Sequence, residues 1–371
     1  MNVPFYTSTR EYSDHKDEFD AAVRGVMERG DFILGNEVTE FEKEAAEWLG
    51  VKYAVGVASG SDALVLGSDI LGFKDGAEVL TPTFTFFAST SCVARLGGKP
   101  VLVDMDEETL EMDVTQAAGK VSDKTVGIIP VHLFLQPTPM QAVMDLARWH
   151  NLKVLEDAAE AWGMESRVDG AWRKAGTIGD IGGFSFFPTK TLGSYGDAGL
   201  MVTNDEELYR KIKSFRVHGS SVKYHHDYIG YNSRLDSLQA AVLRVKLRIT
   251  KEAITARARH AKHYTERLSG ISGLRIPSIG EGSRGVYYVY NILVPRRDEL
   301  AAALKEKGIG TSIYYPLPLH MQKCFAYLGY KEGDFPVAER VCKQILALPI
   351  YPELRDDEVD YVCDEIIRFY K

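Results

Sequence analysis

A lysine and an aspartate each follow a separate apolar run in the middle of the chain. Lys190 comes shortly after the apolar residues 183–187, and Asp157 ends the preceding run. A lysine amine at the end of a buried strand loses solvation, which lowers its pKa and favours the neutral form. Because only the neutral amine attacks a carbonyl carbon, this arrangement predicts that Lys190 forms a Schiff base.

Asp157 supplies a second group that such chemistry requires. An acid at the C-terminal end of a neighbouring strand suits the ring nitrogen of pyridoxal phosphate (PLP), whose aldehyde a lysine attacks. Taken singly, Lys190 could be a solvated loop residue, and Asp157 could cap a helix that begins at Ala158. The combination favours a PLP enzyme in which Lys190 and Asp157 are the catalytic residues.

The residues around this pair also form a known pattern. Residues 155–163 read LEDAAEAWG, and residues 176–205 read GTIGDIGGFSFFPTKTLGSYGDAGLMVTND. Both segments resemble the DegT/StrS-type family of PLP-dependent sugar aminotransferases. The resemblance covers nearly the whole chain, from GDFILGNEVTEFE at 30–42 to FPVAERVCKQILALPIYPEL at 335–354. It implies an aminotransferase of fold type I.

A glycine turn in the segment VASGSDAL (57–64) predicts an anion site. The backbone N–H groups of Gly60, Ser61 and Asp62 would lie at the N-terminus of a helix, although a simple strand-to-helix turn has the same appearance. The resemblance implies that this turn is the phosphate cup of PLP and that Ser185 adds a hydroxyl. It also implies that Asn232 of the partner subunit completes the cup, and therefore a homodimer with shared active sites.

The resemblance implies two further cofactor contacts. Phe86 takes the place of an aromatic residue that stacks on the cofactor ring. Phe84 and Phe87 are interpreted instead as core residues. Glu160 stands where the family usually has Gln, next to the phenolic oxygen of PLP. Two close anions raise the pKa of one of them, so we expect Glu160 to be protonated or to share the phenol proton.

The sugar-binding side is predicted from the loop GIGTSIYYPLPLHMQ (308–322). It resembles the family loop that lines the nucleotide-sugar pocket, with Tyr314, Tyr315 and His320 as candidate contacts. A proline-rich aromatic loop is equally compatible with a packed turn. The resemblance implies a further candidate, Arg234, which in the branch acting on UDP-linked 3-oxo uronic acids meets the sugar carboxylate, as bidentate pairing allows. Arg234 could instead pair with Asp236 or another acid.

The resemblance thus implies transfer of an amino group from L-glutamate to a keto-sugar linked to a nucleoside diphosphate. The expected substrate is a 3-oxo hexose linked to UDP or dTDP, in the biosynthesis of amino sugars for lipopolysaccharide or another polysaccharide. Two alternatives stay open. One is an aminotransferase of a small cyclic ketone such as an inositol, and the other is a PLP-binding regulator without turnover.

Alternating apolar runs and helical patterns predict an α/β fold, with a mostly parallel seven-stranded sheet implied by the resemblance. The predicted strands are 53–57, 77–80, 100–104, 126–131, 153–155, 271–278 and 287–294. The predicted helices are 16–29, 37–49, 62–71, 138–150, 236–261, 298–307, 339–347 and 357–370. We expect a large PLP-binding domain at 15–250 and a smaller α/β domain at 251–371, with residues 1–14 packed on the latter.

Composition narrows the class of protein. Of the 371 residues, 45% are hydrophobic and 26% are charged, as is usual for a soluble globular protein. The net charge of −8 argues against a nucleic-acid or anionic membrane surface. The four cysteines show no metal-binding spacing, and no apolar run approaches the ~20 residues that span a bilayer. We expect a cytoplasmic protein without a metal site or a secretory signal.

Overall fold

The computed structural model describes residues 1–371. Its strands are β1 (Tyr53–Val57), β2 (Glu78–Pro82), β3 (Lys99–Val103), β4 (Thr125–Ile128), β5 (Lys153–Asp157), β6 (Glu165–Val168), β7 (Ala171–Lys174), β8 (Ile181–Ser185), β9 (Gly199–Thr203), β10 (Ser220–Val222), β11 (His225–His226), β12 (Ser283–Arg284), β13 (Tyr290–Leu293) and β14 (Ile345–Leu348). Its α-helices are α1 (Thr9–Asp14), α2 (Lys16–Arg29), α3 (Asn36–Leu49), α4 (Gly60–Ile70), α5 (Ala88–Arg95), α6 (Val114–Ala118), α7 (Met140–His150), α8 (Glu206–Phe215), α9 (Ser237–Leu268), α10 (Arg297–Glu306), α11 (Pro336–Gln344) and α12 (Asp356–Tyr370). Two 3₁₀ helices span Leu319–Met321 and Lys323–Leu328. None of the helices combines the length and apolar character needed to cross a membrane.

A seven-stranded sheet forms the centre of the molecule, in the order β1-β9-β8-β5-β4-β2-β3. All neighbours in it are parallel except β9, which runs antiparallel to both β1 and β8. Every residue of β2 and β9 is buried, as expected when helices cover both faces of a sheet. The predicted α/β fold with a mostly parallel seven-stranded sheet is confirmed.

The sheet brings the predicted catalytic segments to one edge. Strands β5 and β8 are parallel neighbours in which Asp157 pairs with Gly183, so both chains leave the sheet on the same side. Strand β1 runs in the same direction as β8, because both are antiparallel to β9. Helix α4 then begins at Gly60, three residues after β1 ends. Ligands of open α/β sheets bind at this carboxyl edge.

The C-terminal part has a second hydrophobic core. It packs α10, α12 and the end of α9 around the β13–β14 pair, with Tyr264, Leu300 and Ile366 fully buried. The N-terminus joins it through Val3, whose backbone exchanges hydrogen bonds with Gly308 and Gly310. The predicted domain boundary after residue 250 falls inside α9, so this one helix spans both parts.

Two predicted elements are wrong. Residues 271–278 form turns and a single bridge between Arg275 and Leu293, because Gly273 adopts a positive φ of 79° and Pro277 has no N–H to donate. The predicted helix 339–347 ends at Gln344. The next four residues are all buried and pair with β13, since this short apolar run gains more from the sheet than from another helical turn.

Candidate active site

A cavity of about 560 Å³ opens at the carboxyl edge of the sheet. Its volume lies within the range of small-molecule sites. Its wall contains nine of the predicted site residues: Gly60, Ser61, Phe86, Asp157, Glu160, Ser185, Lys190, Tyr314 and Tyr315. Nine of the twelve predicted site residues therefore share one wall, although their segments are far apart in the chain.

Lys190 lies in the loop after β8 with its amine directed at an acid and a ring. Its Nζ is 3.1 Å from Oε1 of Glu160 and 4.3 Å from the centre of the Tyr288 ring. Burial lowers the pKa of Lys190, but the attraction to Glu160 and Tyr288 raises it above the value of an ordinary lysine. The prediction that the pKa of Lys190 is lowered is thus wrong for the protein without its cofactor. The sequence does not show that Glu160 faces the amine.

Asp157 ends β5 and is only 4% exposed. Its Oδ2 accepts a 2.6 Å hydrogen bond from the hydroxyl of Ser89, and its Oδ1 accepts the N–H of Ala159 at 3.1 Å. The Ser89 hydroxyl also lies 2.9 Å from that of Thr85, so the donor that binds the carboxylate is itself held in place. No helix begins at Ala158, which excludes the helix-cap alternative. Burial raises the pKa of Asp157 above that of an ordinary aspartate.

Replacement of Ser89 tests whether its hydrogen bond to Asp157 matters for activity. Ser89→Ala removes a hydrogen bond to the charged form of Asp157, so the pKa of Asp157 rises further. The acid limb of the kcat profile should move to higher pH, and kcat near neutral pH should fall roughly 10-fold. Steady-state kinetics across pH measure both effects. Thr90→Val is the matched control, because the Thr90 hydroxyl binds Thr81 instead; an equal change in that variant would contradict the assignment.

The start of α4 forms an anion cradle. The Ser59 side chain caps the helix by accepting the N–H of Asp62. A Cβ at Gly60 would lie 2.5 Å from the Cβ of Ser185 and 3.1 Å from its Oγ. Only glycine therefore lets the Ser185 hydroxyl lie beside the free N–H groups of the helix. These donors and the positive end of the helix dipole fit a phosphate.

The three phenylalanines of the 84–87 segment have different surroundings. Phe84 is 1% exposed and belongs to the core, as predicted. Phe87 is 40% exposed and lies beside Phe325, so the structure does not support its interpretation as a core residue. Phe86 is 55% exposed and on the cavity wall, where its ring is available to stack on a flat cofactor.

Three predicted contacts lie outside the cavity wall. His320 is 3% exposed, and its ring nitrogens are 2.9 Å from the Thr83 hydroxyl and 3.0 Å from Glu339. Its proposed contact with a sugar therefore gains no support from the structure. Asn232 is exposed, and half-buried Arg234 has no side-chain hydrogen bond or ion pair in the chain. The alternative pairing of Arg234 with Asp236 is not formed.

Tyr288 and His132 are two of the wall residues that sequence reasoning missed. The Tyr288 hydroxyl lies 3.0 Å from that of Thr189, close to Lys190. His132 Nδ1 accepts the Thr138 N–H at 3.2 Å, so its Nε2 carries the hydrogen directed at Glu156, 3.0 Å away. His132 directly follows the predicted strand 126–131, and the strand-end rule could have found it. No local pattern marks Tyr288.

Comparisons with known proteins identify relatives along the whole chain. The chain is 44% identical to a pleiotropic regulatory protein of Geobacillus stearothermophilus, across 100% of this chain and 99% of that protein. It is 39% identical to a UDP-N-acetyl-3-dehydro-α-D-glucosamine 3-aminotransferase of Acidithiobacillus ferrooxidans, across 99% and 97% of the two chains. It is 37% identical to a dTDP-3-amino-3,4,6-trideoxy-α-D-glucose transaminase of Streptomyces venezuelae, across 98% and 95%.

Solved structures show the same relationship. DesV of S. venezuelae superimposes with a TM-score of 0.96 at 37% identity, and the match covers 100% of this chain and 99% of that one. Fold and site define a PLP-dependent aminotransferase, which confirms the predicted enzyme class and cofactor. The sequence profile of the DegT/DnrJ/EryC1/StrS aminotransferase family matches residues 13–367, and the chain belongs to that family.

Proposed function

We propose that this enzyme transfers an amino group from L-glutamate to the C3 keto group of a hexose linked to UDP or dTDP. The observation that carries the proposal is the placement of Lys190 and Asp157 on one cavity with the anion cradle at Gly60. The names of the Acidithiobacillus and Streptomyces relatives support the substrate class, since both refer to position 3 of a nucleotide-linked hexose.

Six residues of the wall would have a role in this reaction. PLP would supply an aldehyde and an electron-withdrawing ring. The Lys190 amine, when free and neutral, would take a proton from the substrate carbon that bears nitrogen and deliver it to the carbon of the cofactor aldehyde group. The negative charge of Asp157 would stabilise a proton on the ring nitrogen. Gly60, Ser61 and Ser185 would hold the phosphate, and Phe86 would stack on the ring.

Arg234 is proposed to recognise the sugar or its diphosphate, because its guanidinium is left free of partners within the chain. Arg234→Ala should lower kcat/KM for the keto-sugar about 10- to 100-fold, the effect of losing a charge-assisted hydrogen bond. The glutamate half-reaction should change little. Coupled assays with UDP- and dTDP-linked 3-oxo hexoses measure the first effect, and the visible spectrum with glutamate measures the second.

The same assays separate the remaining candidates. Thermal stabilisation by UDP or by dTDP would identify the nucleotide. Stabilisation by neither, together with turnover of a cyclic ketone, would replace the proposal with the small-ketone alternative. The name of the Geobacillus relative favours the regulator as a second candidate. A visible spectrum of the PLP-bound protein that L-glutamate leaves unchanged would support the regulator.

We also propose a homodimer in which Asn232 and Arg234 serve the partner's cavity. Both lie outside the wall of their own cavity, next to the β10–β11 hairpin, where Tyr224 and Ile229 are 81% and 96% exposed. Burial of these apolar side chains against a second copy would bring the two residues to its site.

A cytoplasmic location is supported by the four free cysteines, and the amino-sugar product suits polysaccharide synthesis.

Mixing two inactive variants tests the shared site. One variant carries Lys190→Ala, and the other carries both Asn232→Ala and Arg234→Ala. After subunit exchange, each mixed dimer should contain one intact site, so about a quarter of wild-type activity should return if subunits pair at random. Activity no greater than the sum of the separate variants would show that each chain completes its own site. Light scattering on the mixture checks that dimers are present.

A further inference from the structure

Glu160 and Lys190 form a buried pair inside the cavity. Their side chains are 7% and 14% exposed, and Oε1 of Glu160 is 3.1 Å from Nζ. The other oxygen, Oε2, accepts the N–H of Phe134 at 2.9 Å, which fixes the carboxylate in place. Oε1 is therefore the atom of Glu160 that faces the amine.

This pair creates a chemical requirement. An ammonium group has no lone pair, so Lys190 must lose a proton before it can attack a carbonyl carbon or act as a base. The Glu160 carboxylate favours the charged amine and raises the pKa of Lys190, against the effect of burial. Both side chains line the cavity. Within the chain, the carboxylate of Glu160 is the acceptor in direct contact with the amine.

The other titratable groups around Glu160 are poor acceptors. Burial raises the pKa of Tyr314 and Tyr315, which keeps both hydroxyls neutral near pH 7. Burial likewise raises the pKa of Glu111 well above its ordinary value, which favours the neutral acid. Asp157 bonds to Ser89 and the Ala159 N–H and not to the Lys190 amine, which contacts Glu160.

We infer that Glu160 is the proton acceptor that converts Lys190 into a neutral amine. One N–H bond of the ammonium breaks, its electron pair stays on Nζ, and the proton forms an O–H bond with Oε1 of Glu160. The charged pair becomes a neutral pair with no change in net charge, and no other reactant is needed. Burial disfavours both charges of the pair, so it works in the direction of this transfer.

This inference rests on the proposed function, in which the Lys190 amine attacks the aldehyde of PLP. It adds the group that accepts the proton of that amine. It also gives a role to the departure from the family pattern noted in the sequence. A Gln at position 160 would keep a hydrogen bond to Phe134 but could not take up a proton. An enzyme with Glu at this position carries its own base beside the lysine.

The rate of PLP capture by the cofactor-free protein tests the inference. Glu160→Gln should capture PLP about 100-fold more slowly than wild type near pH 7, as expected for loss of a general base. Stopped-flow absorbance in the visible range measures this rate. If Glu160 only held the ammonium in place, its loss would lower the pKa of Lys190, and capture would be as fast as in wild type or faster. That result would overturn the inference.

Chemical rescue separates proton transfer from positioning. In Glu160→Ala, formate or acetate should enter the vacated space and restore the capture rate in proportion to its concentration. A slow variant that neither anion accelerates would contradict the inference. Glu111→Gln is the matched control, because Glu111 accepts the Leu133 N–H in the same loop without contacting Lys190; it should capture PLP at the wild-type rate.

Binding of pyridoxamine phosphate supplies a readout that does not depend on the lysine. This form of the cofactor has no carbonyl group, so its affinity needs no deprotonation of Lys190. Calorimetry should give an affinity close to that of wild type for Glu160→Gln, because Gln can still form a hydrogen bond with the phenolic oxygen. A large loss of affinity in Glu160→Gln would attribute its slow capture to cofactor binding and would overturn the inference, whereas failure of wild type to bind at all would reject the assigned cofactor instead.

Discussion

Lys190→Ala is expected to abolish transamination, with a fall in activity of about 10³-fold or more. The change removes both the amine that attaches PLP and the base that moves the substrate proton, and Glu160 cannot replace either function. Wild type with PLP should be yellow, and L-glutamate should convert its spectrum to that of pyridoxamine phosphate. The variant should bind PLP without the covalent absorption band and show no such conversion.

The control for this experiment is a lysine outside the cavity. Lys99→Ala removes an exposed amine that pairs with Glu78 outside the cavity, so it should retain wild-type spectra and activity. Methylamine added to Lys190→Ala is a second control, since a small amine can partly replace the missing base. Full conversion by glutamate in Lys190→Ala without any added amine would contradict the assignment of Lys190.

The sequence was most informative where a functional residue belongs to a continuous segment. Lys190 and Ser185 lie within a few residues of one strand end, and Asp157 ends the neighbouring strand. The rule that ligands bind at the carboxyl edge of a parallel sheet then brings these segments together without knowledge of the fold's details. The same rule places Gly60 at this edge, because it comes shortly after the end of β1.

The sequence was least informative where a contact joins distant segments. The pKa of Lys190 depends on Glu160, thirty residues earlier, and on Tyr288, which belongs to a stretch predicted only as a strand. His320 looked like a polar residue in a binding loop, yet Thr83 and Glu339 enclose it. Such pairings depend on packing between elements, which local patterns do not report.

The two wrongly predicted secondary-structure elements also depend on packing between distant segments. Residues 345–348 continue an apolar helical pattern, and only the presence of β13 as a partner makes them a strand. Residues 271–278 have the alternation of a strand but obtain a single bridge to Leu293. Strand formation requires a neighbour with free hydrogen-bonding groups, so the pattern alone cannot decide it.

Asp157→Asn is expected to lower kcat by about 10²–10³-fold, the scale of losing one preorganised charge in an active site. Asparagine has nearly the same shape and can still bond to Ser89 and the Ala159 N–H, but it cannot stabilise a proton on the ring nitrogen. The expected defect is therefore in proton abstraction from the amino acid, which single-turnover spectra with glutamate measure. Asp180→Asn is the control, because Asp180 precedes β8 at the opposite edge of the sheet and pairs with Lys153.

Stability separates this loss of function from a folding defect. Because burial raises the pKa of Asp157 in the folded chain, the ionised carboxylate costs stability, and this cost grows as pH rises through the raised pKa. Asparagine removes that cost, so without cofactor the variant should unfold at the same temperature as wild type or higher near pH 7. Below the pKa of an ordinary aspartate the difference should vanish. Lower thermal stability together with lower activity would show that Asp157 supports the fold, and its assignment to the ring nitrogen would fail.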